Sequence, residues 1–350
     1  MQKTVDFLYK MLVFVPAVVF LCCFDLWGRV AIACFNPVNA VKYMKNIYLT
    51  GQNTEFFSRE NPFRGMNMAD FLQKDSQQTQ ENEKISPYYN VIKEYFTSVE
   101  SDIVLKKENC YVKNMTQMPA EEVKGIMLSS VSFAVEKNSS QPQILIMHTH
   151  ATESYIPMES DLYDAGYGFR TTDNSRNMVA VGKVMADTLN SLGYNTLQDA
   201  TLHDYPSYNG SYDNSKATVE KYLQMYPSIK IVLDVHRDAV ERDGGIIAPV
   251  ATINGKEYAQ IMIISGRDNG YMNMPHYREN LKFASGVQNT MTALYPGLTR
   301  PVLFDYRNYN QQLTTGSILV EIGTHGSTLT QARNSARAFA HSLAAYLDNM

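Results

Sequence analysis

The sequence predicts an α/β domain in which a mixed, mostly parallel sheet is flanked by helices and preceded by an N-terminal transmembrane helix. Three mostly apolar stretches of strand length, over residues 144–147, 230–235 and 317–320, each lead directly into a histidine or a glutamate. Segments with helical spacing alternate with these runs, which is typical of a parallel sheet. The carboxyl ends of such strands meet at one edge of the sheet, where ligands bind.

The N-terminal segment is strongly apolar. Residues 8–24 contain a single charge, and residues 11–24 form a continuous apolar run. With the preceding residues added, the segment reaches the roughly 20 residues that a helix needs to cross a bilayer. The small residues at 31–33 also fit a signal-peptide cleavage site, but Asp25 and its neighbours separate them from the apolar run. The sequence therefore predicts an uncleaved membrane anchor over residues 1–35, and either interpretation exports the remainder of the chain.

Three regions follow the anchor. Residues 36–86 are polar and are predicted to be a linker. Residues 87–142 are predicted to be a small ordered region, with helical spacing over residues 88–99 and a second helix beginning at Pro119. Residues 143–350 are predicted to form the main domain.

Within the main domain, the apolar pattern predicts each element in turn. Helices are expected over residues 176–192 (ending at Gly193), 219–226, 281–294 and 330–347, and strands over residues 144–147, 231–235, 302–306 and 317–320. Asn254-Gly255 lies between two apolar stretches and predicts a β-hairpin, with residues 260–265 expected to rejoin the sheet.

Composition excludes some classes of function. The chain has 31 basic and 35 acidic residues with no basic run, which argues against a nucleic-acid partner. Of its four cysteines, Cys22 and Cys23 lie in the apolar segment, whereas Cys34 and Cys110 are isolated. No disulfide framework or cysteine-based metal site is indicated.

The strand ends carry residues that are suited to a zinc site. His150 and Glu153 form an H-x-x-E pair in one turn, and His236 ends the next predicted strand. Zinc accepts imidazole nitrogen and carboxylate oxygen, and a catalytic site uses three protein ligands and a water. We therefore predict His150, Glu153 and His236 as zinc ligands and Glu321 as the general base that activates the water.

Other assignments remain open at this point. His148 is an alternative first ligand or a group that supports the ligands from outside, and Asp173 is an alternative carboxylate ligand, although a helix N-cap is its more common role. A lone histidine after an apolar run is more often a strand-end residue, so the argument depends on three strand ends together. Arg237 or Arg170 is a candidate oxyanion donor.

Five motifs in fixed order resemble the stage II sporulation protein P family. They are His-Thr-His-Ala-Thr-Glu-Ser-Tyr at 148–155, the segment 203–212 that includes Tyr208 and Asn209, Asp-Val-His-Arg-Asp at 234–238, Tyr-Pro-Gly-Leu at 295–298, and Val-Glu-Ile-Gly-Thr at 320–324. The resemblance covers residues 143–350 and the anchor-and-linker layout. It implies a fold similar to zinc amidases and carboxypeptidases. Tyr208, Asn209 and Arg237 are then expected to bind substrate.

The resemblance also implies a function. The family is similar to zinc N-acetylmuramoyl-L-alanine amidases, so Zn²⁺ is the expected cofactor and peptidoglycan the expected substrate, with an endopeptidase activity on stem peptides as well. The expected role is wall remodelling during engulfment in sporulation, together with stage II sporulation proteins D and M. The expected location is the cell membrane with a single span, and the catalytic domain outside the cytoplasm in the intermembrane space of the sporangium.

Alternatives follow from the same residues. In the broader amidases the carboxylate ligand begins a helix, which favours Asp173, whereas the H-x-x-E order resembles zinc carboxypeptidases and favours Glu153. A zinc metallopeptidase acting only on peptide crosslinks would use the same site. A noncatalytic, membrane-anchored wall-binding scaffold would not need Glu321.

Overall fold

The computed structural model describes residues 88–164 and 166–350. Ser86–Met350 form one compact unit, and the anchor predicted over residues 1–35 and the linker over residues 36–86 lie outside the described residues. Among the helices of the described part, none combines the length and apolar character that a membrane crossing requires. The transmembrane helix therefore stays a prediction from the sequence.

The described chain alternates strands and helices over most of its length. In order, the elements are β1 (Tyr88–Glu94), β2 (Val104–Lys107), β3 (Cys110–Asn114), α1 (Ala120–Ile126), β4 (Ile144–Met147), β5 (Leu162–Asp164), α2 (Met178–Ser191), β6 (Thr196–Gln198), α3 (Ser211–Met225), β7 (Ile231–Asp238), β8 (Glu241–Arg242), β9 (Gly245–Ile253), β10 (Lys256–Ala259), β11 (Ile261–Gly266), α4 (Tyr277–Leu294), β12 (Val302–Asp305), β13 (Gly316–Thr324) and α5 (Leu329–Leu347).

The central sheet has eight strands in the order β2-β3-β12-β11-β13-β7-β4-β6. Its pairings are parallel except for β2–β3 and β11–β13. The mixed, mostly parallel α/β sheet that the sequence predicts is therefore confirmed. Strand β3, from the region 87–142, pairs with β12 and so belongs to the same sheet as the main domain's strands.

Helices cover both faces of this sheet, as the alternation within β4 illustrates. Ile144 and Ile146 pack into the larger core with α2, α4 and α5. Leu145 and Met147 point the other way, into a smaller core with Val219 of α3. Because successive strand side chains face opposite sides, a strand that is apolar throughout must be covered on both faces.

A second sheet, in the order β10-β9-β1-β5 with β8 on β9, lies outside the parallel pattern. The predicted hairpin is present between β9 and β10, and its turn residues Asn254 and Gly255 both have positive φ, 51° and 74°. The helix predicted over residues 88–99 is wrong, because β1 occupies residues 88–94. The residues of β1 have helical spacing but favour strands, and their pairing with β9 and β5 decides the structure.

Local chemistry explains the main helix ends. Helix α2 begins at Asn177, whose side chain accepts a hydrogen bond from the Val179 backbone, and its C-terminal turn is followed by Gly193 at φ 90°. Helix α5 begins with a complete capping box between Thr328 and Gln331. Asp173, for which the sequence suggested an N-cap, is not the cap of α2.

Candidate active site

Three neighbouring strands bring the predicted site residues to one edge of the central sheet. His150 lies just after β4, His236 lies in β7, and Glu321 lies in β13. Glu321 is in register with His236 across the parallel β13–β7 pair, and β4 pairs with the other side of β7. Residues in register on adjacent strands share a face of the sheet, so the Glu321 and His236 side chains are neighbours.

Glu153 reaches the same place through a tight turn. Its backbone N–H donates to the carbonyl of His150 at 3.1 Å, and its Oε2 lies 3.8 Å from Nδ1 of His236. The Arg237 backbone N–H donates to this carboxylate at 3.4 Å, and the Arg237 and Arg170 guanidinium groups lie 3.7 and 3.5 Å from its Oε1. The two arginines therefore orient Glu153 towards His236.

His150 is enclosed by aromatic rings. Tyr208 stacks on it with ring centres 4.5 Å apart, and Tyr212 and His236 present nearly perpendicular rings at 5.5 and 5.3 Å. Its buried Nδ1 has no hydrogen-bond partner among the described residues. Burial lowers the pKa of His150 to about 4, which keeps the imidazole in the neutral form that binds metals.

Asp234 is a site residue that the sequence analysis missed. Its Oδ1 lies 2.7 Å from Nε2 of His236, although the two are not aligned as a hydrogen bond, and its carboxylate accepts from the Thr149 N–H at 2.9 Å and the Thr149 hydroxyl at 2.7 Å. Burial disfavours the His236 imidazolium, but the Asp234 carboxylate outweighs burial and raises the pKa of His236 to about 9. Spacing alone could have found Asp234, since residues two apart on a strand share a face.

Glu321 has the environment of a proton acceptor. Its Oε2 is buried without a hydrogen-bond partner among the described residues. Burial raises the pKa of Glu321 to about 8, and His236 opposes the shift. A carboxyl group tuned towards neutral pH is suited to take up and return a proton.

The two alternative ligands lie in different surroundings. His148 is fully buried, with Nδ1 against the Val235 carbonyl at 2.8 Å and Nε2 at 3.2 Å from the Gln198 amide. Both of its ring nitrogens thus face other partners. Asp173 is exposed, and its carboxylate accepts from the backbone and hydroxyl of Ser175. The structure does not bring either side chain to the His236–Glu153 pair.

The three predicted substrate-binding residues also differ in setting. Tyr208 and Asn209 are exposed on the loop before α3, and Tyr208 forms the outer face over His150. Arg237 is buried, and its guanidinium donates to the carbonyls of Ser154 and Phe169 at 3.2 and 3.1 Å. Arg237 is therefore positioned to hold the loop that carries Glu153.

Asp204 is a second residue that the sequence analysis missed. Its side chain is fully buried and accepts from the Thr152 hydroxyl at 2.6 Å and from Arg170 at 2.6 Å. The Arg170 guanidinium in turn lies 4.9 Å from the centre of the Tyr208 ring. Asp204 thus connects the turn between His150 and Glu153, through Arg170, to the Tyr208 ring that stacks on His150. No local pattern indicated this long-range role.

The donor set fits zinc by chemistry. Across residues 88–164 and 166–350, no three His, Cys, Asp or Glu side chains converge closely enough to define a metal site. His150 Nδ1 is nevertheless buried without a partner among the described residues, and Glu153 Oε2 lies 3.8 Å from Nδ1 of His236, the ring nitrogen that Asp234 does not contact. Imidazole nitrogen with one carboxylate is a zinc ligand set. The assignment of these residues as ligands stays a prediction.

The chain matches a known protein family over most of its length. The family model described as stage II sporulation protein P (SpoIIP) matches residues 51–344. The chain belongs to this family. The SpoIIP match includes every residue of the candidate site and extends into the region before β1.

One curated relative supports the same family. Stage II sporulation protein P of Bacillus subtilis (strain 168) is 30% identical over 208 residues, which are 56% of this chain and 49% of that protein. The chain therefore spans about half the length of this SpoIIP relative.

Solved structures give a weaker likeness. The N-acetylmuramoyl-L-alanine amidase AmiC2 of Nostoc punctiforme is 15% identical with a TM-score of 0.36, over 60% of this chain and 98% of that one. The CwlD amidase from Clostridioides difficile, in complex with the GerS lipoprotein, is 9% identical with a TM-score of 0.36, over 59% and 97%. Scores at this level carry no conclusion about the activity of the SpoIIP chain.

Proposed function

We propose that this chain is a zinc-dependent peptidoglycan hydrolase of sporulation that cleaves the amide between N-acetylmuramic acid and L-alanine. The observation that carries the proposal is the meeting of Glu321 with His236, Glu153 and His150 at one sheet edge. Buried atoms of His150 and Glu321 have no hydrogen-bond partner among the described residues. Membership of the SpoIIP family supports the substrate and the cellular setting.

In this proposal His150, Glu153 and His236 hold the metal. When bound, zinc supplies a Lewis acid for the amide carbonyl and lowers the pKa of water. Glu321 takes the proton from the attacking water and returns it to the departing amine of L-alanine. Its raised pKa suits both transfers, because the same group must act as base and then as acid.

The other residues keep this constellation in place. Arg237 and Arg170 orient the Glu153 carboxylate, and Asp234 holds His236 through a contact of 2.7 Å. Tyr208 and Asn209, exposed beside His150, are proposed to contact the substrate. Carboxylates that support a metal-binding histidine tune its orientation and basicity.

The cellular setting is part of the proposal. The apolar segment within residues 1–35 would anchor the chain in the membrane by a single span, and place residues 143–350 outside the cytoplasm, in the intermembrane space of the sporangium. Stage II sporulation proteins D and M are the proposed partners. Membership of the SpoIIP family supports this setting.

The principal alternative is a zinc metallopeptidase that cleaves only peptide crosslinks, because it would use the same four residues and differ only in which amide reaches the zinc. A chain that cleaves both the muramoyl-alanine amide and the peptide crosslinks would combine the two activities. A noncatalytic wall-binding scaffold is less favoured, because nothing in wall binding requires a buried Glu321 carboxylate oxygen that has no partner among the described residues.

Digestion of purified peptidoglycan by the full chain tests the proposal. The reaction is run with a chelator, after zinc repletion, and with Glu321→Gln, and the products are identified by mass. Free stem peptides that begin at L-alanine, lost with the chelator and in Glu321→Gln, are expected. Split crosslinks with intact muramoyl-alanine bonds would favour the peptidase. Products that neither the chelator nor the mutation changes would refute a zinc mechanism.

A further inference from the structure

The two arginines suggested as oxyanion donors are already engaged. Every guanidinium nitrogen of Arg237 lies against a backbone carbonyl, at 3.1 to 3.5 Å. Arg170 donates from Nη1 to Asp204 and Thr152, and its Nη2 lies 3.5 Å from Glu153. These contacts use three of the five N–H groups of each guanidinium and fix both side chains as supports of Glu153 and its loop. A side chain without such a structural role is a better candidate for the oxyanion donor.

Tyr212 has a hydroxyl in the right surroundings. Its ring lies nearly perpendicular to that of His150, with centres 5.5 Å apart. Burial, with smaller contributions from the carboxylates of Asp234, Glu321 and Glu153, raises the pKa of the Tyr212 phenol. The phenol therefore keeps its proton and can donate a hydrogen bond beside a predicted metal ligand. Among the described residues it has no hydrogen-bond partner, whereas the Tyr212 carbonyl accepts from Asn310 and Ser215.

The position of this ring is fixed from three sides. Tyr212 is the second residue of α3, so its backbone is held by the first turn of the helix. The Asn310 amide donates to its carbonyl at 2.8 Å, and Tyr309 stacks against its ring with centres 5.4 Å apart and planes 25° apart. A donor held this rigidly does not need to reorganise when charge develops near it, which is the property of an effective oxyanion site.

We propose that the Tyr212 phenol is a catalytic residue that donates a hydrogen bond to the carbonyl oxygen of the scissile amide as the tetrahedral intermediate forms. This inference rests on the proposed function. The water oxygen bonds to the carbonyl carbon, its proton passes to Glu321, and the carbonyl electron pair moves to the oxygen that faces Tyr212. When the intermediate collapses, the C–N bond breaks and Glu321 returns the proton to the amine nitrogen.

The test compares Tyr212→Phe with Tyr226→Phe in the full chain. Both changes remove one phenol oxygen and keep the ring, and Tyr226 follows the distant end of α3, where it stacks on Tyr222. The substrate is a soluble N-acetylmuramoyl-L-alanyl peptide. Loss of one oxyanion donor is expected to lower kcat by roughly 10²- to 10³-fold, with KM and zinc content unchanged. Tyr226→Phe is expected to behave as the wild type does.

A second measurement separates catalysis from packing. A phosphinate analogue, which carries a tetrahedral centre with charged oxygens, should bind Tyr212→Phe more weakly than wild type by a factor comparable to the loss in kcat, while the reaction product binds both equally. A kcat within about threefold of wild type, or a rise in KM alone, would overturn the inference. Equal phosphinate affinity of Tyr212→Phe and wild type would also overturn it.

The controls separate this inference from the proposed function. If Glu321→Gln abolishes hydrolysis and Tyr212→Phe does not, the inference fails while the proposed function stands. If the zinc-loaded wild type hydrolyses no muramoyl amide, the proposed function is refuted and the inference is overturned with it.

Discussion

Replacement of Asp234 by asparagine is expected to destabilise the fold as well as the site. The carboxylate accepts two hydrogen bonds from Thr149 and lies 2.7 Å from Nε2 of His236, all within the buried interior. An asparagine offers one acceptor oxygen in place of two, so one of the two bonds from Thr149 is lost, although the Thr149 hydroxyl keeps the Ser215 hydroxyl at 2.8 Å as a partner. Hydrogen bonds to a charged group contribute about 1.5–3 kcal/mol each, against about 0.5–1.5 kcal/mol for neutral pairs.

The weakening of two such bonds and the loss of the ion pair together give an expected cost of about 3–4 kcal/mol in the free energy of unfolding. Urea unfolding at pH 6, with a chelator present so that metal binding does not contribute, measures it. Asp187→Asn is the matched control, because its side chain is 63% exposed and, within the described part of the chain, pairs with Lys183 alone. The control should lie within about 0.5 kcal/mol of wild type. Equal stability of the two variants would refute the structural reasoning.

The pairing of Asp234 with His236 also predicts how the stability difference between wild type and Asp234→Asn varies with pH. His236 and the Thr149 hydrogen bonds outweigh burial and hold the pKa of Asp234 below its usual range, so its contribution is present above the unfolded pKa of about 3.9 and is lost as pH falls through the folded value. The raised pKa of His236 gives a contribution that is present below about pH 6.5 and is lost as pH rises through about 9. The wild-type advantage over Asp234→Asn should therefore be largest between about pH 4 and 6.5.

Three further predictions concern the candidate site and its support. Glu321→Gln should lower kcat by about 10²- to 10⁴-fold, because the proton acceptor is lost, while metal analysis finds unchanged zinc. Glu153→Gln should reduce zinc content, whereas Asp173→Asn should not, because the Asp173 carboxylate binds only its own turn; the reverse result would exchange their roles. Gly182→Ala would place a methyl group 2.4 Å from Nε2 of His148. The overpacking should lower the free energy of unfolding by about 1–3 kcal/mol, which calorimetry would detect as a lower Tm. An unchanged Tm would contradict the packing of His148 beneath α2.

Local pattern was a good guide wherever one segment determines its own structure. The strands that lead to His150, His236 and Glu321, the hairpin at Asn254-Gly255, and the end of α2 before Gly193 all follow from the apolar period or from turn chemistry. Pattern failed at residues 88–94, because the pairing of β1 with β9 and β5 joins residues far apart in the chain. Helical spacing in a short segment carries no information about such pairing.

The sequence by itself determined which residue types stand at the strand ends, and so the chemistry that the domain offers. A histidine or a glutamate that follows an apolar strand pattern is expected near the carboxyl ends of the strands, where an α/β sheet binds its ligands. This reasoning named His150, Glu153, His236 and Glu321 without any knowledge of the strand order.

Only the tertiary structure decided which side chains support these four and which stand apart. The register of β7 against β13 set Glu321 beside His236, and the turn after His150 brought Glu153 to them while Asp173 stayed in solvent. Helix α3 and the loop before it placed Tyr212 and Asp204 within reach of the site. These contacts join segments 50 or more residues apart, and distances of that kind arise from packing between elements, which no local pattern encodes.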